Sequence, residues 1–334
     1  MSVGRGVSYF GNRYPAHART DLRAMAAAGV SYVVHVMSEA DVRWNPRTIA
    51  QIVAIGHEEG IESWLDPWGV GGVFGGEAAS YAVGEYPNAC QRDAHGSPLP
   101  ALCPLRPEFR WLMEYWLDAA VASGASLCLW DEPHLFIPRY QGTAERWACR
   151  CAACQAAFAE RFDHRMPTDR TDEVDRFVKA LLDDTLAWLV AATGERGMQS
   201  GIVLLPEGYD ADTWRTVAAL PGVRAFGTDP YWFLHEDEID DAEAYVRLWS
   251  ERTVAATAGS TATPLAWVQA FRVPAGREPE IERMIEVMVD AGIRSVAAWS
   301  YLGCAAMSHL AADDPDAVWA ALSRAFTRLR DTDA

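Results

Sequence analysis

The sequence predicts a (β/α)8 barrel, and three observations carry that prediction. First, one unit recurs: an amphipathic helix runs into glycine and a short apolar strand follows, as in AAAGVSYVVHV, EEGIESWLDPW, ASGASLCLWDEP and DAGIRSVAAWS. The glycine closes the helix, and the β-branched and aromatic run is a strand buried on both faces. Second, helices alternating with buried strands imply right-handed βαβ units and a parallel sheet. Third, eight such strands can be placed in 334 residues, which suits a barrel with extended loops. The alternative, a doubly wound sheet, usually carries a glycine-rich phosphate loop after its first strand. No GxGxxG occurs here, and the nearest approach, GVGGVFGG from Gly69, lacks the third glycine and precedes no clear helix.

Taken in order, strands are expected at residues 6–10, 32–37, 62–66, 127–131, 202–205, 224–228, 265–268 and 295–299. Helical patterns lie between them, including 171–192, and a last one spans about 314–330. The third and fourth strands are followed by long loops, at about 68–104 and 133–150. No domain boundary or low-complexity linker interrupts this pattern, so residues 1–334 read as one barrel domain.

Composition narrows the function. Half the residues are hydrophobic and 22% are charged, which excludes disorder, collagen and coiled coil. The net charge of −17 repels phosphate backbones, so a nucleic-acid partner is not expected. No apolar run reaches the length of about 18 residues that a membrane span needs. The first residues, MSVGRGVSYFGNRYP, lack the apolar stretch of a signal peptide. A soluble, cytoplasmic protein is expected. Lys179 is the one lysine against 28 arginines. It falls on the polar face of the 171–192 helix, flanked at i−4 and i+4 by Asp175 and Asp183, where a solvated ion pair is the expectation. Schiff-base, pyridoxal phosphate and Walker-type nucleotide chemistry each need a lysine in the site. No such cofactor is therefore expected.

In a barrel of this kind, chemistry belongs to the C-terminal ends of the strands. Those positions hold Asn12 and Arg13 after the first strand, His35 in the second, and Asp66 with Trp68 at the third. The fourth ends in Asp131, Glu132 and His134, and the fifth in Glu207. The sixth ends in Asp229, Tyr231 and Trp232, the seventh carries Gln269, and the eighth carries Trp299 and Tyr301. Three of these ends share one form, an acid followed by proline: Asp66-Pro67, Glu132-Pro133 and Asp229-Pro230. Proline removes a ladder donor and stops the strand, which leaves the acid as the last ordered residue at the mouth. Acid-Pro is also plain turn chemistry, but three at strand ends, joined by Glu207, point to a site. Converging carboxylates raise one another's pKa, so one can stay protonated while another is ionised, as general acid and base require. Tryptophan rings beside such acids suit a sugar, whose C–H faces are apolar and whose hydroxyls need acceptors. The substrate expected is a small carbohydrate.

Seven cysteines are present, and Cys149, Cys151 and Cys154 form C-x-C-x2-C. Clustered thiols in an intracellular chain favour zinc over disulfides. Cys103 is a candidate fourth ligand, with Cys90 able to take its place. Four thiolates would close a structural site and pin the two long loops together. Cys128, inside the fourth strand, reads as buried core.

The stretch from Cys103 to Phe158 resembles the zinc-bearing part of glycoside hydrolase family 42, the β-galactosidase-type barrels. The matching pieces are CPLRP at Cys103, WDEPH around Glu132 and CRCAACQAAF at Cys149. The resemblance implies Glu132 as the acid/base, Cys103, Cys149, Cys151 and Cys154 as zinc ligands, and assembly into a homo-oligomer. It covers about 55 residues of the 334. Two departures stand out. Asp131 precedes the acid where the family has Asn, and the seventh strand, PLAWVQAF, offers Gln269 where the family has a glutamate nucleophile. An amide cannot be that nucleophile, so either another carboxylate partners Glu132, Asp229 first and Glu207 second, or the reaction is inverting or substrate-assisted, or activity is absent. Asp66 and Asp131 are expected to bind hydroxyls and tune pKa. Trp68, Trp232 and Trp299 are expected to stack on the sugar, with His35, Tyr231, Gln269 and Tyr301 completing its binding site. The competing readings are a divalent-metal sugar isomerase or epimerase, with Glu132, Glu207, Asp229 and His35 or His235 as ligands, and a sugar-binding relative without activity.

Overall fold

The computed structural model describes residues 3–136, 147–235 and 238–333. Eight parallel strands close into a barrel: β1 (Gly4–Tyr9), β2 (Tyr32–Val36), β3 (Glu62–Asp66), β6 (Leu127–Asp131), β7 (Gln199–Val203), β8 (Val223–Thr228), β9 (Thr263–Gln269) and β10 (Ser295–Trp299). The two remaining strands, β4 (Cys90–Arg92) and β5 (Pro98–Leu102), form an antiparallel hairpin in the loop after β3. The fold is the expected (β/α)8 barrel. The largest boundary shift is at the fifth barrel strand, which starts at Gln199 and ends at Val203 rather than spanning 202–205. Of the expected 133–150 loop, residues 137–146 lie outside the described residues.

Alternation along each strand sorts side chains between the barrel interior and the helix layer. In β6, Leu127, Leu129 and Asp131 point inward, while Cys128 and Trp130 pack against the outer helices. The lower interior is plugged by Tyr32 and Trp64, stacked at 3.9 Å between ring centroids. Arg224 covers the Trp64 ring and pairs with Glu62 at 2.7 Å. This plug exists because β1 carries glycine opposite it. A Cβ on Gly6 would lie 2.1 Å from the Tyr32 ring, so only hydrogen fits there.

The outer helices are set by local signals. Proline opens α1 (Pro15–Ala27), α3 (Pro46–Glu58), α5 (Pro107–Ser123) and α10 (Pro279–Asp290), where its missing N–H costs nothing. Ser38 and Asp41 form a reciprocal cap on the short α2 (Glu39–Trp44). Thr171 caps α7 (Asp172–Glu195), and on this helix Lys179 pairs with Asp183 at 2.9 Å while Asp175 pairs with Arg170. Gly124 ends α5 in the left-handed conformation.

The loop after β3 folds into structure of its own. It holds α4 (Tyr81–Glu85) and the β4/β5 hairpin, whose turn is held by Asp93 accepting from His95 N (3.0 Å) and Ser97 N (2.8 Å). A bridge between Asp93 and Ala148 ties this hairpin to the loop after β6. Among the described residues no helix is long and apolar enough to cross a membrane.

Candidate functional site

The C-terminal mouth of the barrel opens into a cavity of about 870 Å³, within the usual range for a small-molecule site. Asp131, Glu132, Glu207, Asp229, Tyr231 and Trp299 line it. So do Glu77, Phe271, Arg272 and His309, which strand-end reasoning does not reach. Glu77 comes from the loop after β3. Its only sequence signal is an acid set directly after a glycine pair.

Each acid is placed by its strand. β3 delivers Asp66 to the interior, in phase with Trp64. β6 delivers Asp131, and the chain then turns so sharply that Glu132 takes φ of +41°. A non-glycine residue rarely holds that conformation outside functional sites. Asp229 follows β8 and lines the same cavity as Glu132, close enough for each charge to act on the other. The glycine-rich stretch from Gly69 covers this group closely. Gly75 N donates to Asp131 O at 3.1 Å, and a Cβ on Gly75 would lie 2.8 Å from Glu132 Oε2 and 3.2 Å from Asp131 Oδ2. A Cβ on Gly76 would fall within the Trp68 ring. Gly75 and Gly76 thus serve close approach to the acids and the tryptophan, while Gly69 and Gly72 lie against the backbone of Ala78 and Pro100.

The electrostatics follow from this crowding. Burial first, and then the charges of Glu132 and Glu77, push the Asp66 carboxyl well above the usual carboxylate range. Asp131 is raised by burial, then by Asp66 and Glu132. Asp229 is raised by burial, then by the charge of Glu132. Glu77 is also raised, chiefly by burial. Both Asp66 oxygens, Asp131 Oδ1 and Asp229 Oδ1 are buried without a hydrogen-bond partner. Burial and mutual repulsion therefore favour the protonated forms of Asp66, Asp131, Asp229 and Glu77 more than water does for a free carboxyl.

Several expected binding residues lie elsewhere, for identifiable reasons. His35 is out of phase with the inward-facing Val34 and Val36 and sits between the barrel and the helices. It hydrogen-bonds to Ser63 Oγ at 3.1 Å, and burial pushes its pKa down to about 3. Trp232 turns outward, with its indole N–H donating to Glu280 (3.3 Å). Gln269 is consumed by backbone: it accepts from Phe233 N at 2.8 Å and donates to Phe271 O at 3.2 Å. Tyr301 and Asn12 line a separate side pocket with Tyr9, where Asp21 accepts from Tyr9 and Asn12. Arg13 is engaged with Asp41. Trp68 is set back from the cavity but supports it. It stacks on Phe10 (5.4 Å), which stacks in turn on Trp299 (5.5 Å). Asp66 lies beneath the lining residues, acting on them through its charge.

The four cysteines come together away from the cavity. Cys103, Cys149, Cys151 and Cys154 are all buried, with their sulfurs within 4.8 Å of one another, at 3.5 Å for Cys103–Cys154 and 3.6 Å for Cys103–Cys151. Cys103 follows the β4/β5 hairpin and the others follow β6, so the cluster joins the two loops. Cys90 is not part of it and faces Val83 O and Tyr86 O. Among the described residues this is the only group of three or more His, Cys, Asp or Glu at ligand spacing. Among the described residues the acids of the mouth do not form a second such group.

No family model matches the chain, and no curated protein does. Solved structures do. The catalytic domain of a β-amylase from Paenibacillus polymyxa superposes with a TM-score of 0.67 at 10% identity, covering 96% of this chain and 98% of that one. An endo-1,4-β-mannanase from Rhizomucor miehei gives 0.60 at 10% identity over 98% and 95%. An endo-β-1,4-mannanase from Thermotoga petrophila gives 0.59 at 9% identity over 100% and 77%. These likenesses show the fold.

Proposed function

We propose that the protein is a glycoside hydrolase acting on a small saccharide in the barrel-mouth cavity. The observation that carries this is the pair of neighbouring acids, Glu132 and Asp229, lining one cavity with the rings of Tyr231 and Trp299. Neighbouring carboxyls resist ionising together, so the pair favours holding one proton. That is the inventory glycoside hydrolysis needs: one carboxylic acid to protonate the leaving oxygen and one carboxylate to attack or to activate water. Glu132, the member more open to the cavity, donates the proton. Asp229, more deeply buried, keeps the proton at rest and acts as nucleophile or base once it has passed to Glu132.

Retaining enzymes hold their two carboxyls roughly 5–5.5 Å apart and inverting ones 6.5–9.5 Å, so the working separation of this pair decides the stereochemistry. Asp131 supplies a further carboxyl beside the pair, and as positive charge develops on the sugar ring its ionised form is favoured in turn. Tyr231 and Trp299 supply flat surfaces for its C–H faces. Glu207, exposed at the cavity edge, is a substrate contact in this reading. The fold likeness to a β-amylase and to mannanases is consistent with it.

The four cysteines fit a structural zinc. An S4 tetrahedron with Zn–S of about 2.3 Å has sulfur–sulfur edges of about 3.8 Å, close to the separations observed. Such an ion would staple the loop bearing Glu77 to the loop following Glu132, away from the reaction itself. The family 42 resemblance is consistent with this ligand set.

The test is hydrolysis of a panel of α- and β-aryl glycosides and disaccharides by the wild type and by Glu132→Gln. Turnover that falls at least about a hundredfold in the variant, with the fold intact, supports the reading. Turnover that survives unchanged removes Glu132 from the chemistry. A second reading, sugar binding without hydrolysis, is favoured by one observation: both ends of Gln269 are tied to backbone where a nucleophile is expected. Saturable sugar binding with no turnover on any substrate would select it.

A further inference from the structure

Two buried carboxylates elsewhere in this molecule, Asp41 and Glu39, are each met by three donors. Asp41 accepts from Ser38 N (3.0 Å), Ser38 Oγ (2.9 Å) and Arg13 Nε (2.7 Å). Glu39 accepts from Gly71 N (2.9 Å), Ser80 Oγ (2.5 Å) and Ala82 N (2.8 Å). The mouth acids are treated differently. Four carboxyl oxygens of Asp66, Asp131 and Asp229 are buried with no donor, and the charges bearing on Asp66 are those of two further acids. Arg272 is the one Lys or Arg among the described residues lining the cavity, and its Nη2 is engaged with His309 Nε2 at 2.6 Å. Leaving buried acceptors bare is costly, so the arrangement is explained if the missing donors arrive with the ligand.

The character of those donors can be read from the acceptors. A hydroxyl brings lone pairs as well as a proton, and in a cluster of carboxyls some of those lone pairs would face other lone pairs. An ammonium has three donors, no acceptor and a positive charge. An N-acetyl group would bring a carbonyl oxygen against the same acids. We propose that the preferred substrate is an amino sugar with a free, protonated amine, whose ammonium group is seated at Asp131 and Asp229, above the buried Asp66. This rests on the glycosidase reading for the sugar, while the cation preference rests on the unpartnered carboxyls.

The test compares three tetrasaccharides: β-1,4-linked glucosamine, its fully N-acetylated form, and the neutral β-1,4-glucan of the same length. Binding is followed by calorimetry and cleavage by reducing-end release, at a pH where the amine is protonated. The amine form is expected to bind at least about tenfold more tightly than either of the others. In Asp131→Asn that preference is expected to shrink to less than about threefold, and Asp66→Asn, which removes the carboxyl beneath the seat, carries the same comparison if the first variant does not fold. Equal or tighter binding of the neutral or acetylated sugar overturns the inference, and if that sugar is cleaved the glycosidase reading still stands. Tight binding of the amine form with no cleavage of any glycoside supports the cation seat and sinks the hydrolase reading instead. Absence of binding by all three overturns the inference.

Discussion

Substitution of Gly75 by alanine tests the arrangement of the acids without touching one of them. The new Cβ would lie 2.8 Å from Glu132 Oε2, about 0.6 Å short of the 3.4 Å at which ordinary contact begins. The Asp131 oxygen, at 3.2 Å, lacks only about 0.2 Å. Glu132 is the flexible partner, so its carboxyl gives way. A displacement of about 1 Å at a reacting group costs on the order of a hundredfold in rate. A shift of about 0.6 Å is therefore expected to lower kcat by roughly tenfold. The hydrogen bond from Gly75 N to Asp131 O survives the change, and Gly75 does not hold a positive φ, so stability is expected to fall by less than about 1 kcal/mol. The assay is steady-state kinetics on the best substrate of the glycoside panel, with thermal unfolding measured alongside. Gly84→Ala is the control, since a Cβ there meets nothing within 4 Å, and it should leave both readouts unchanged. Full activity in Gly75→Ala would refute the placement of Glu132 in the reaction. A loss of activity matched by collapse of the melting temperature would show that Gly75 serves the fold alone.

Asp66→Asn is expected to stabilise the protein at neutral pH, by on the order of 1 kcal/mol. The folded pKa of Asp66 is raised, so the unfolded chain ionises first as pH climbs past the ordinary aspartate value, and wild-type stability is lost from there upward. The advantage of the variant should vanish in acid, where both states are protonated, and chemical denaturation at two pH values checks this. The purified protein is expected to contain about one zinc per chain by elemental analysis. Cys149→Ser or chelation should lower the melting temperature by several degrees and expose the loop after β5 to protease. Gly6→Ala is expected to cost about 1–3 kcal/mol by displacing Tyr32 from its stack on Trp64, measured by urea unfolding, with little change in KM.

The barrel was legible because its strands are short apolar runs closed off by helix-ending glycines, and three of the eight, residues 62–66, 127–131 and 295–299, match the observed bounds. The acid-Pro pattern marked Asp66, Glu132 and Asp229, since proline stops the strand where the mouth begins. Phase was harder to read. His35 and Trp232 sit at the right height but on the outer side, and one residue of register decides between mouth and helix layer. Gln269 and Tyr301 were displaced from the expected site by backbone and aspartate partners that are distant in sequence. Glu77 and His309 enter the cavity from loops, where no periodicity reports direction. The cysteine cluster was legible from spacing alone, because three of its four members lie within six residues, from Cys149 to Cys154.

The central claim is that Glu132 delivers the proton and Asp229 works from the other side of the bond. Leaving-group dependence tests it most directly, by comparing kcat/KM of the wild type, Glu132→Gln and Asp229→Asn across aryl glycosides of graded leaving-group acidity. A variant lacking the proton donor should lose rate steeply as the leaving group becomes more basic and lose little with the most acidic one. Such a slope in Glu132→Gln, with a large and uniform loss in Asp229→Asn, is the predicted result. The reverse pattern would exchange the two roles, and equal, flat losses in both would contradict proton donation by either residue.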